Sequence, residues 1–94
     1  MPQNTTIPIE AAWELLTNAN DTEITFQNNG NRPIYVIGTN GDTPAPTADF
    51  GVLYKPGEGE LKAALGELFP GVSGVNRLWA KRVKLNSSVF VSHA

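Results

Sequence analysis

Glycine (9), proline (7) and frequent asparagine cut the apolar residues of this chain into short runs rich in Val, Ile, Phe and Tyr. Each punctuating residue does so for its own reason: glycine has no side chain, proline presets φ, and asparagine tolerates positive φ. Runs this short do not build a helical bundle. They fit short strands joined by turns. Charged residues make up only 17% of the 94, against a usual ~25%, and turn formers take their place.

Alternation marks the individual strands. In residues 22–28 (TEITFQN), Ile24 and Phe26 point one way while Glu23, Thr25 and Gln27 point the other. Asn29-Gly30-Asn31 follows, a pairing that favours tight hairpins, and residues 33–39 (PIYVIGT) form the expected return strand. Residues 51–55 (GVLYK) read as a further strand closed by Pro56-Gly57. Residues 77–85 (RLWAKRVKL) and 88–92 (SVFVS) are expected to pair as a second hairpin across Asn86-Ser87. Near the N-terminus, Ile7-Pro8-Ile9 is extended, because proline disfavours helix in the residue before it. Residues 10–16 (EAAWELL) are too short to hold as an isolated helix, which favours a strand or loose turn. Residues 60–69 (ELKAALGELF) place Leu61, Ala64, Leu65 and Leu68 at helical spacing and predict a short surface helix stopped by Pro70-Gly71. The polar residues 1–6 are expected to fray or to be held by a partner. The expected fold is a single all-β domain, a small β-sandwich or barrel of about five to seven short strands with one short helix.

Several function classes fall away. The chain has no cysteine, which excludes a disulfide framework and a thiolate metal site. A net charge of −2 does not suit a general nucleic-acid binder. No apolar run approaches the ~20 residues of a membrane-spanning helix, and the N-terminus lacks the layout of a signal peptide, so a soluble, non-secreted domain is expected. His93 directly follows Ser92, and neighbouring strand residues face opposite ways, so the two make a poor nucleophile–base pair. Asp42 and Asp49 sit seven apart in a Pro-rich loop, which does not match a calcium-loop spacing. The glycines of 56–59 and 71–74 match neither phosphate-loop nor dinucleotide patterns. No catalytic residue, metal or cofactor is expected.

What remains points to surfaces. The first 54 residues carry Glu10, Glu14, Asp21, Glu23, Asp42 and Asp49 against Arg32, a balance of −5. The rest carry Lys55, Lys62, Arg77, Lys81, Arg82 and Lys84 against Glu58, Glu60 and Glu67, a balance of +3. Lys81, Arg82 and Lys84 are read either as solvated guards on an edge strand, or as a basic strip facing an acidic surface on a second copy or larger scaffold. Phosphate contact is a third option. Trp79 alternates with Leu78 and Ala80, so one of those sets faces outward or into a partner. Trp79, and with it Trp13, are the candidate interface anchors, because tryptophan is enriched at binding hot spots. The long loop of residues 40–49 (NGDTPAPTAD), with Asn40, Asp42 and Asp49, is the candidate binding loop, since long loops in small domains are usually functional.

Residues 24–28, 33–36, 45–47, 51–53, 56–60, 68–74, 76–80 and 89–94 follow an order of strands, turns and a closing VFVSHA. That order resembles small β-rich structural, virion-accessory proteins of tailed bacteriophages. The resemblance implies a non-enzymatic virion component. A capsid decoration or cement protein on the major capsid lattice comes first, and a tail or fibre-associated component second. It further implies a homo-oligomer whose partners are other virion proteins, with no nucleic acid or membrane. No individual functional residue carries over. The competing readings from the residues themselves are a receptor or glycan-binding module using the aromatic residues, and, more remotely, an enzyme.

Overall fold

The computed structural model describes residues 3–18, 20–41 and 46–93. Eight strands and one helical turn occupy them: β1 (Gln3–Ile9), β2 (Glu14–Leu15), β3 (Glu23–Asn28), β4 (Ile34–Thr39), β5 (Val52–Tyr54), β6 (Gly59–Ala64), α1 (Leu65–Leu68), β7 (Arg77–Arg82) and β8 (Ser87–His93). They form two four-stranded antiparallel sheets, ordered β1-β8-β3-β6 and β2-β7-β4-β5. This strand order is that of a jelly roll, in which two Greek keys wrap face to face. The all-β expectation holds, with eight strands rather than about five to seven.

The core lies between the sheets and follows the period of two. Ile24 and Phe26 of β3, Ile34 and Val36 of β4, Leu78 and Ala80 of β7, and Val89 and Val91 of β8 are all buried. Ile9, Leu16 and Leu65 close the ends. Each large aliphatic or aromatic side chain buried this way stabilises the fold by roughly 1.5–3 kcal/mol. Phe26 and Tyr54 meet edge to face with ring centroids 5.0 Å apart, a contact between the two sheets.

Neither expected hairpin forms. β3 pairs with β6 and β8, while β4 pairs with β5 and β7, so the chain crosses from one sheet to the other between Asn28 and Ile34. Another crossing, in the opposite direction, lies between β7 and β8. The five residues 29–33 span up to ~17 Å when extended, enough to bridge sheets that stack ~10 Å apart. A buried polar hub holds both crossings together. Asn28 Nδ2 donates to the carbonyls of Arg32 (2.8 Å) and Tyr54 (3.1 Å). Its Oδ1 accepts from Gly30 N (3.2 Å) and Ser87 Oγ (2.9 Å). Gly30 lies so close to the start of β8 that a Cβ there would meet Ser88 N at 2.7 Å. The Asn-Gly pair therefore serves close approach of two crossings rather than a tight turn.

Two further expectations are corrected. Residues 3–6 do not wait for a partner but lie in β1, paired with β8 from Gln3↔His93 to Thr6↔Phe90. Met1 and Pro2 fall outside the described residues. The expected helix over 60–69 is a strand as far as Ala64, and only Leu65–Leu68 is helical. The helical spacing was not a buried stripe: Leu61 is 84% exposed, and only Leu65 is in the core. Pairing with β3 decides the conformation of 59–64.

Candidate functional site

The outer face of the second sheet gathers most of the residues the sequence singled out. Register fixes which ones point outward. Ile34, Val36 and Gly38 of β4 face the core opposite Arg82, Ala80 and Leu78, so Tyr35, Ile37 and Thr39 face out opposite Lys81, Trp79 and Arg77. Leu53 lies beside Tyr35, and Leu15 beside Trp79. The end of the long loop and the residues that follow it return across this face. Trp13 Nε1 donates to Ala48 O at 2.9 Å, and Phe50 meets Tyr35 edge to face at 5.7 Å and 89°. Lys81 Nζ sits 5.3 Å from the Trp13 ring centroid, a cation–π contact.

Within this face, Trp79 is a packing element. It is 6% exposed, and its Nε1 donates to Thr39 Oγ1 at 2.8 Å. Leu78, Trp79 and Ala80 are all buried, so the choice between two outward sets resolves as cover on both sides of β7. The side chains that solvent or a partner can reach are Phe50 (69% exposed), Leu53 (47%) and, in part, Trp13 and Tyr35. Alternation marks Tyr35 as outward in the sequence; nothing local marks Phe50 and Leu53 as its neighbours.

The basic residues do not form one strip. β7 lies between β2 and β4, so Lys81 and Arg82 do not guard an edge. Lys81 is on the aromatic face. Arg82 sits in the core-facing register at the strand end and donates to Asn86 Oδ1 at 2.7 Å. Lys84 is exposed in the crossing between β7 and β8. In the candidate binding loop, the Asn40 side chain donates to Ser73 O (3.2 Å), and Asp49 is exposed. Asp42 lies outside the described residues. Among the described residues no group of three or more His, Asp or Glu side chains is arranged to hold a metal.

His93 is more enclosed than a polar strand end would be. Its ring is buried at the end of β8, with Nδ1 2.9 Å from Asp21 Oδ2 and Nε2 3.2 Å from Gln3 Oε1. Ser92 faces the opposite side of the sheet, as alternation requires. With both ring nitrogens engaged, His93 ties the start of β1 and the segment before β3 to β8. A shallow concavity of about 630 Å³ opens beside it, lined by Asp21, Glu23, Thr25, Lys62, Ser92 and His93. The 72-residue separation of Asp21 from His93 hid this pairing from any local motif.

Comparison with known families, curated proteins and solved structures finds no match.

Proposed function

We propose that this chain is a non-enzymatic structural component of a tailed-phage virion that decorates the major capsid lattice. It attaches through the outer face of the second sheet. The observation that carries the reading is the exposed aromatic and aliphatic group on that face, Phe50, Leu53, Tyr35 and Trp13, with the Lys81 ammonium beside it. Aromatic side chains supply large contact area at low entropic cost, and exposed apolar groups ringed by polar residues suit protein contact. Lys81, with Lys84 in the adjoining crossing, complements an acidic patch on the lattice. The jelly roll is a fold used by viral capsid domains, which supports the reading by analogy only, since folds host many functions. Repetition on a lattice turns weak single contacts into durable attachment.

The test is a particle reconstruction. Purified virions of the phage that encodes this chain are imaged with the native protein and with a Phe50→Ser, Leu53→Ser variant. The native chain gives regular density on the capsid shell, and the variant loses most of it while remaining folded. Density at the tail, absence of density, or full occupancy by the variant overturns the reading. So does saturable glycan binding that the same substitutions abolish.

A further inference from the structure

The four sheet edges of this jelly roll are not treated alike. In the second sheet the edges are β2, of two residues, and β5, of three, both too short to template another strand. In the first sheet β6 is interrupted. Its pairing with β3 shifts register between Ile24 and Phe26, Lys62 takes φ +48°, and Lys62 N is captured by Thr25 Oγ1 at 2.9 Å. It also carries Glu60 and Lys62. A bulge and charges are the usual means of preventing edge-to-edge pairing. β1 has neither. It runs seven residues, QNTTIPI, without a charge or an irregularity, in unbroken register with β8.

The direction of its free hydrogen-bonding groups follows from the ladder. Ser88 O accepts from Asn29 N and Gly30 N, so the backbone of Ser88 faces β3 and not β1. In an antiparallel ladder the bonded pairs alternate, so the pairs that bond β1 to β8 are Gln3↔His93, Thr5↔Val91, Ile7↔Val89 and Ile9↔Ser87. The backbone groups of Asn4, Thr6 and Pro8 consequently point away from the sheet. Proline stands in one of these outward positions, where its missing N–H costs no ladder bond. No described residue pairs with the N–H and C=O groups of Asn4 and Thr6.

We propose that β1 is a self-association edge: two copies of this chain pair β1 to β1, antiparallel, across a two-fold axis at Thr5. Thr5 then faces its symmetry mate in a non-bonded pair. Asn4 and Thr6 exchange both backbone bonds with Thr6 and Asn4 of the second copy, four bonds in all. Centring on Thr5 satisfies every outward donor and acceptor of Asn4 and Thr6, while Pro8 lies beyond the paired stretch. The two first sheets become one continuous sheet of eight strands. A second copy is favoured over a charged peptide because β1 carries no charge to select one. An identical strand also sets Asn4 opposite Thr6 on both sides of the two-fold axis. The proposal is independent of the aromatic face, which lies on the other sheet.

The chain has no cysteine, so a single introduced thiol reports on this contact alone. Thr5→Cys is compared with Leu61→Cys, which places an exposed thiol on the bulged edge. Cα atoms of a non-bonded pair stand about 4.5 Å apart, within disulfide reach. Under mild oxidation Thr5→Cys forms a disulfide-linked dimer at least about tenfold faster than Leu61→Cys, because pairing raises the effective concentration of one thiol beside the other. Equal rates overturn the proposal. Independently, sedimentation equilibrium of the native chain gives twice the chain mass. Thr5→Lys sets like charges opposite each other and weakens the dimer by about tenfold or more. A native chain that stays monomeric at about 1 mM, or a Thr5→Lys dimer as tight as the native one, overturns it as well.

Discussion

Replacing Asn28 tests whether the β3–β4 and β7–β8 crossings between sheets are held by this one side chain. Asn28→Ala removes four hydrogen bonds from a fully buried position. Two of the partners keep other contacts: Gly30 N still reaches Ser88 O at 3.2 Å, and Ser87 Oγ still reaches Arg32 O at 3.0 Å. At a net ~1 kcal/mol per buried bond, softened by those alternatives, the loss comes to about 3 kcal/mol. That is a large share of the ~5–15 kcal/mol that holds a domain of this size together. At ~4–8 °C per kcal/mol, the melting temperature falls by about 12–24 °C. Asn28→Asp is the sharper variant because it keeps the shape and replaces the donor. Its second carboxylate oxygen would face the Arg32 and Tyr54 carbonyls, now 2.8 and 3.1 Å from Nδ2. Burial among carbonyls raises the carboxyl pKa in the folded state above its unfolded value of ~3.9. The protonated form therefore favours folding. Relative to the native chain at each pH, the deficit is smallest below about pH 3.9 and grows as pH rises toward the folded value. Urea unfolding followed by tryptophan fluorescence at pH 3.5 and pH 7 measures both variants. An Asn28→Ala loss under about 1 kcal/mol, or an Asn28→Asp deficit that does not change with pH, refutes the hub.

Other expectations bear on the inner and outer faces. Trp79→Ala lowers stability by about 3–5 kcal/mol because the indole is buried, whereas Phe50→Ser stays within about 0.5 kcal/mol; thermal melts of the two variants check the contrast. Burial, the nearby Glu60 charge and hydrogen bond, and more weakly Glu58 push the Tyr54 pKa up to about 12. An unfolded tyrosine ionises near ~10, so the contribution of Tyr54 is fully present below pH 10 and is lost as pH rises from about 10 to 12. Urea midpoints at pH 9 and 11 register this loss, and Tyr54→Phe removes it.

Fold class was legible because alternation survives in the residues themselves. Ile24 and Phe26, Ile34 and Val36, and Val89 and Val91 each mark a core-facing side two residues apart. Strand partners were not legible. A strand feeding a turn looks the same whether the next strand lies beside it or opposite it. The difference is set by Asn28 reaching Tyr54 and Ser87, 26 and 59 residues away. β6 was hidden because leucine and alanine at helical spacing carry a strong local signal, which pairing with β3 overrides. Of the candidate surface, Trp13, Trp79 and Lys81 were legible as residues that favour contact. Phe50 joined them only through the return of a distant segment over Tyr35. The pairing of Asp21 with His93 lay beyond any spacing rule.

The place of β8 in the first sheet has a consequence for how the protein is made. It lies between β1 and β3, although it is the last of the strands in chain order. Of the seven links between successive strands, only β4 to β5 joins neighbours. While residues 87–93 are still inside the ribosome, the emerged chain holds two strands with a gap where their shared partner belongs. The first sheet cannot close until synthesis has passed that point. The domain then assembles late and as a unit, with the slow kinetics of distant pairings.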